Sequence, residues 1–235
     1  MKKVYDTINQ YCVEHDLLMN GDGIVIGLSG GVDSVCLLQV LAALRNEWQL
    51  RLVCVHVHHG IRGTTADEDA AFAQRLAAKY NISFRLYEMD IPQLAKEQGL
   101  SEEEAGRNYR YRCFEEVRKE LNFDKIAVAH HRDDQAETVL WQILRGSGLR
   151  GVCGMRAGRA NIIRPLLCLD RQQIEQIVRG NGDGWREDAT NREEKYTRNK
   201  IRNRVFPYIE QEIQPMARRH LVELAEDCQL SLIHI

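Results

Sequence analysis

Gly23-Ile24-Val25-Ile26-Gly27-Leu28-Ser29-Gly30-Gly31-Val32-Asp33-Ser34 decides the fold. An apolar run, Ile24–Leu28, reads as a strand, and the residues from about Asp33 onward read as a helix. The hexapeptide Ser29–Ser34 lies at the junction. Two adjacent glycines allow a tight turn that brings backbone N–H groups close to a ligand. The start of the following helix adds unpaired donors and partial positive charge, so the junction suits an anion, above all phosphate. The loop has no Lys and so is not G-x-x-x-x-G-K-[ST]; nor is it a G-x-G-x-x-G turn.

Working outward, apolar strand signals fall at Gly23–Leu28, Leu50–Val57, Ile82–Met89 and Lys125–His130. Helical patterns fill Asp33–Arg45, Thr65–Tyr80, a short stretch after Pro92, Ser101–Leu121 and Asp133–Leu144. Ser101 and Glu104 are spaced as a capping box. This alternation predicts an α/β fold with a doubly wound parallel sheet, followed by a helical segment. Ligands of such sheets bind at the carboxyl ends of the strands. The polar clusters Ser29–Ser34, His56–Arg62 and His130–Glu137 fall there. Beyond them, Gly146–Arg159 reads as a long loop, Ile162–Leu167 as a short edge strand stopped by Pro165, and Arg171–Arg179 as a helix capped by Asp170. Glu187–Arg204 is polar and irregular, and Glu210–Leu230 holds a further helix interrupted near Pro215.

The chain has 235 residues and a net charge of −2, so it has no global attraction for nucleic acid. Charge is nevertheless segregated: Thr138–Leu169 has no Asp or Glu but carries Arg145, Arg150, Arg156, Arg159 and Arg164. An RNA-facing surface and an ordinary solvated loop both fit that pattern. The seven cysteines show no C-x-x-C pair, which argues against a disulfide framework, a zinc ribbon or an iron–sulfur site. With no long apolar stretch, neither a signal peptide nor a membrane span is expected, and a reducing cytoplasm is the default.

Three clusters carry the chemistry. In His130–Thr138, Asp133, Asp134 and Glu137 fall in the first turns of a helix. Acids complement a helix N-terminus, but three of them beside His130 at the ligand end of the sheet suit Mg²⁺ bound with nucleotide phosphates. His56 and His58 share a strand face, a placement open to nucleotide contact, structural hydrogen bonding or metal ligation. Arg107, Arg110 and Tyr111 form one cationic and aromatic helix stripe, either a phosphate and base contact or a solvated face paired with nearby Glu.

Taken together, the sequence resembles the N-type ATP pyrophosphatases (PP-loop proteins) and, among them, the tRNA(Ile)-lysidine synthetases. The resemblance rests on S-G-G-V-D-S, H-V-H-H-G-I-R, R-x-x-R-Y, H-H-x-D-D-Q-x-E-T and Leu144–Gly148. Gly151–Met155, Arg164–Leu167, Glu187–Asn191, Arg198-Asn199 and Ile201-Arg202 extend it, so that it covers roughly 20–210. It implies ATP-dependent transfer of free lysine to C2 of the wobble cytidine of tRNA(Ile) with a CAU anticodon, through an adenylated intermediate. It implies ATP contacts from Ser29, Gly30, Gly31, Val32, Asp33, Ser34, His56, His58 and Arg62. Catalytic roles would fall to Asp33, His130, Asp134 and Glu137, with Mg²⁺ on Asp33 and Asp134. Arg107, Arg110, Tyr111, Arg145 and Arg150 would hold tRNA. The expected division is a catalytic domain over 1–210, its 146–210 part on the tRNA side, and a linker helix opening a further domain over 211–235. A homodimer is a further expectation. Two other readings use the same loop: a tRNA-thiolating enzyme, and a nucleotide- or RNA-binding module without turnover.

Overall fold

Period-two alternation places Ile24 and Ile26 on one face of the first strand and Val25 on the other, and both faces are buried. A computed structural model of the chain describes residues 2–58, 63–186 and 197–233. Its strands are β1 (Gly23–Gly27), β2 (Arg51–His58), β3 (Ser83–Glu88), β4 (Lys125–Ala127), β5 (Gly158–Arg159) and β6 (Ile162–Ile163). They form one sheet in the order β3-β2-β1-β4-β6-β5, with only the β5–β6 pair antiparallel. The chain winds from β1 to β3 in one direction, then returns to place β4 on the other flank of β1. Between β1 and β4 lies the switch point, the crevice where such sheets take ligands.

Helices cover both faces. On one side α1 (Lys2–Glu14), α2 (Val32–Leu44), α3 (Gly63–Lys79) and α8 (Arg171–Gly180) join the main core, with Leu37, Leu41, Leu76 and Ile177 against Ile24 and Ile26. On the other side α5 (Glu102–Glu120) packs Phe114 and Val117 on Val25, Val53 and Ile126, flanked by α4 (Ile91–Gln98). The remaining helices are α6 (Arg132–Leu144), α7 (Leu149–Val152), α9 (Thr197–Lys200), α10 (Phe206–Glu212) and α11 (Ala217–Ile233), with a π-helical turn over Ile201–Val205. Phe206, Ile201 and Val222 pack on Ala136 of α6, and Gln229 Nε2 donates to the carbonyl of Cys153 at 2.7 Å. In this way α11 is packed against α6 and α7.

Most elements fall where the pattern puts them, and Asp170 caps α8 in a reciprocal box with Gln173. Two differ. The edge strand expected over Ile162–Leu167 is only Ile162–Ile163 and is not an edge. Ala160 takes a φ of 52° and lets Gly158–Arg159 fold back as the outer strand, while Pro165 ends the ladder early. The loop expected over Gly146–Arg159 contains the short helix α7.

Candidate nucleotide and acid site

The Ser29–Ser34 turn is built by its last residue. Ser34 Oγ accepts from the backbone N–H of Ser29 (3.2 Å) and of Gly30 (3.1 Å) and donates to the Gly31 carbonyl at 2.9 Å. Gly30 takes a φ of +91°, open to glycine and strained for any other residue. A Cβ there would also meet Phe72 at 3.4 Å. Gly31 is the N-cap of α2 and no side chain caps the helix, so its first donors face the crevice. His56 Nδ1 lies 2.8 Å from the Leu28 carbonyl, which can only accept, so this nitrogen carries the proton and the other presents a lone pair. Burial lowers the pKa of His56, against the raising effect of that hydrogen bond.

Facing the loop is a cluster of acids held by arginines. Asp134 is the N3 residue of α6, and its Oδ2 accepts from the N–H of His131, the N-cap, at 3.0 Å. Its Oδ1 accepts from Arg198 (2.8 Å) and Arg202 (2.9 Å). One helical turn on, Glu137 is wholly enclosed and accepts from Arg202 Nε at 2.6 Å and Arg198 Nε at 2.8 Å. Asp33 accepts from Arg171 at 3.1 Å. The Asp133 N–H donates to His131 Nδ1, so the His131 proton sits on Nε2, which faces Asp33 at 3.8 Å and Asp134 at 3.6 Å.

These surroundings drive the carboxylates apart. Burial raises Asp33, with His131 and Arg171 opposing it only in part. Burial pulls Asp134 the same way, but His131, Arg198, His130 and Arg202 together bring it down to about 2. Neighbouring acids with separated pKa values are a mark of a working site.

Of the residues singled out from sequence, the structure brings Ser29, Gly30, Gly31, Val32, Asp33, Ser34, His56, Asp134 and Glu137 to the carboxyl end of the sheet. His58 follows on β2, its Nε2 3.5 Å from Asp67; Arg62 and Glu187–Asn191 lie outside the described residues. His130 is placed differently from expectation. The imidazole nearest the acids is that of His131, whereas His130 Nδ1 accepts from Arg164 at 3.3 Å. Burial brings His130 down to about 3, so it is neutral at physiological pH. Asp133 accepts from the backbone N–H of Arg171, at 3.3 Å, rather than from the arginines that hold Asp134 and Glu137. Arg107 lies over the Tyr111 ring (5.1 Å), and both act electrostatically on Arg164, close to His130. Arg110 acts likewise on His56. Arg145, stacked on Trp141 at 5.6 Å, caps the far end of α6, about 12–17 Å along its axis from Glu137 and Asp134, and Arg150 follows on α7.

Sequence reading missed roles for His131, Arg171, Arg198 and Arg202, and it placed Arg164 in a basic stretch open to RNA rather than beside His130. A signal was available for two: Arg198 and Arg202 are four apart, Asp134 and Glu137 three apart, so opposite charges recur at helical spacing. Among the described residues no group of three or more His, Cys, Asp and Glu converges as a metal cluster. Two oxygen donors converging on one imidazole edge beside a phosphate loop still suit Mg²⁺, which takes one or two carboxylates and fills its sphere from phosphates and water.

A family model of the PP-loop domain matches residues 2–209. The chain is 46% identical over 232 residues to a tRNA(Ile)-lysidine synthase of Caldanaerobacter subterraneus, covering 97% of this chain and 49% of that protein. It is 42% identical to the enzyme of that name from Clostridium perfringens, covering 97% and 48%. The chain thus spans about half the length of the curated relatives it matches. Among solved structures, the U34-tRNA thiolase NcsA of Methanococcus maripaludis, with its [4Fe-4S] cluster, superposes with a TM-score of 0.76. It is 18% identical, with 100% of this chain and 80% of that one covered. An NMN synthetase of Francisella tularensis superposes at 0.56 and 14% identity, covering 97% and 93%. At these identities the two structures establish the shared fold. Among the described residues no helix is long and apolar enough to cross a membrane.

Proposed function

The chain belongs to the PP-loop domain family, and on that footing we propose that it is the catalytic part of a tRNA(Ile)-lysidine synthase acting in the cytoplasm. The substrates are ATP, free L-lysine and a tRNA(Ile) with a CAU anticodon. The carrying observation is the meeting of two features: an uncapped helix start on a Gly-Gly turn, and, across the crevice, an acid pair that already binds two cationic side chains. The first suits pyrophosphate, the second a lysine ammonium. The relatives' shared name, across 97% of this chain, supports the same reading.

In the first step the C2 carbonyl oxygen of the wobble cytidine attacks the α-phosphorus of ATP. The bond to the bridging oxygen breaks, and pyrophosphate leaves with the electron pair. Ser29–Ser34 and the α2 N-terminus hold the departing phosphates, and His56 and His58 line the nucleotide side. Asp33 and Asp134 would hold Mg²⁺, which supplies charge neutralisation at the phosphates. Neutral His130, with Arg164 beside it, orients the reacting groups. In the second step lysine, whose ammonium has a reference pKa of about 10.4, gives up a proton, and its ε-nitrogen attacks C2. The C2–O bond breaks and AMP leaves. Asp134 and Glu137 share the same two arginines, so the pair holds the ammonium group in place, and the released proton passes to water in the crevice. Arg107, Arg110 and Tyr111 meet tRNA near the crevice, and Arg145 and Arg150 meet it further out.

Thiolation draws no support from the cysteines. All seven are free, and burial pushes the thiols of Cys12, Cys54 and Cys168 up to about 12. The test mixes ATP and unmodified tRNA(Ile), then adds lysine. Pyrophosphate release with tRNA, followed by lysine-dependent AMP release, is expected. AMP release indifferent to lysine would overturn the ligase reading.

A further inference from the structure

The stretch Asn181–Arg186 leaves α8 and runs in the groove between α2 and α3 toward the phosphate loop. It is pinned at its start: Asn181 Nδ2 donates to Gln39 Oε1 at 2.9 Å, and the enclosed Asp183 accepts from Gln39 (2.7 Å), Tyr80 (2.5 Å) and Lys79. Trp185 packs against the main core under the guanidinium of Arg179. The stretch ends on the loop itself. Arg186 N–H donates to the Gly30 carbonyl at 2.9 Å, and its Cγ lies 3.8 Å from where a Gly30 Cβ would stand. Its guanidinium rests on two solvated acids of α3, Asp69 at 2.7 Å and Glu68 at 2.8 Å.

The Ser29–Ser34 loop contains no cation, although the phosphates of ATP carry several negative charges against the half charge of a helix start. Arg171 stands on Asp33 at the end of the loop and on Glu175. Arg186 touches the loop, and its resting partners are open to water, which weakens their hold. Its planar fork matches phosphate oxygens.

We propose that Arg186 is a phosphate-binding residue of the nucleotide site: its guanidinium leaves Glu68 and Asp69 and closes on the outer phosphates of ATP. Asp183 is a positioning residue that fixes the stretch from which the arm reaches. The inference rests on the ATP reading above, and it adds a residue carried by the stretch after α8 rather than by the loop.

The test is calorimetric titration of the whole chain with ATP and with AMP. Arg186→Ala should weaken ATP binding about tenfold and leave AMP binding within about twofold, because AMP lacks the outer phosphates. Arg186→Lys should recover part of the loss, and Asp183→Asn should shift ATP binding in the same direction. Removing the competing acids with Glu68→Gln and Asp69→Asn should tighten ATP binding a few-fold. Because losing two negative charges favours ATP by itself, the double variant is read against the same changes made in Arg186→Ala, where the tightening should be smaller; equal tightening in both backgrounds would overturn the assignment. Equal losses for ATP and AMP in Arg186→Ala, no loss at all, or a wild-type chain that binds ATP no more tightly than AMP would each overturn the assignment. The expected pattern in a chain that makes no lysidine would remove the ligase reading and leave Arg186 in place.

Discussion

Glu137→Gln tests the acid pair most directly. Glu137 is enclosed and accepts three charge-assisted bonds, from Arg198 Nε, Arg202 Nε and Arg202 Nη2, at 2.8, 2.6 and 2.9 Å. Glutamine keeps one acceptor oxygen and turns an NH₂ donor toward guanidinium donors. Removing one partner of a fully buried pair costs about 3–5 kcal/mol. Here both arginines stay partly open to solvent and keep Asp134 as a partner, so the expected loss is about 2–3 kcal/mol. For a chain of this size that corresponds to a fall in Tm of about 5–10 °C. Thermal and urea melts read it. Adding Arg202→Leu should recover part of the loss, since the guanidinium stranded by the first change is then gone. In activity, pyrophosphate release should persist while lysine-dependent AMP release falls, so that adenylated tRNA accumulates. A Tm within about 2 °C of wild type, or strict additivity with Arg202→Leu, would refute the reasoning on stability. Unchanged lysine dependence would reduce Glu137 to a structural group.

Asp33→Asn should abolish pyrophosphate release with little change in Tm, because Asp33 is partly exposed and its one arginine is solvated; comparable turnover would remove it from the mechanism. Gly30→Ala should cost about 1–3 kcal/mol in urea melts, since alanine must hold a φ of +91° against Phe72, and should weaken ATP binding further. For pH, Asp134 has a folded pKa of about 2 against an ordinary 3.8, so its stabilisation is complete above about pH 4 and is lost as pH falls toward 2. It is worth about 2 kcal/mol, and Asp134→Asn should flatten that part of a stability–pH curve. Asp33, raised by burial, acts in the opposite sense, since its protonation favours the folded state.

Local signals were the legible ones. The alternation through Ile24–Leu28, the Gly-Gly turn and the acids at 133, 134 and 137 identified the parallel sheet and the end of it that matters, because each depends on neighbours within a few residues. What the sequence did not disclose depends on distant partners. Nothing local separates His130 from His131; only the start of α6 at Arg132 makes His131 the cap and turns it toward Asp33. Arg171, Arg186, Arg198 and Arg202 stood as surface cations until folding set them against acids far away in the chain. The inner place of Ile162–Ile163 depends on a hairpin whose turn bears no Gly at its positive φ.

The braces of the phosphate loop also set the order in which the site can come into being. Arg186 meets Asp69 across 117 positions of sequence, and Arg171 meets Asp33 across 138. A ribosome adding about 5–20 residues per second needs on the order of ten seconds to span such separations. For that interval the emerging polypeptide has its glycine turn but neither arginine beside it, and the apolar face of α2 still lacks the α8 side chains that cover it. Nucleotide capture during synthesis should therefore begin only after residue 186 has cleared the exit tunnel. The small molecule would then report on the completion of long-range closure rather than on the birth of the loop it binds.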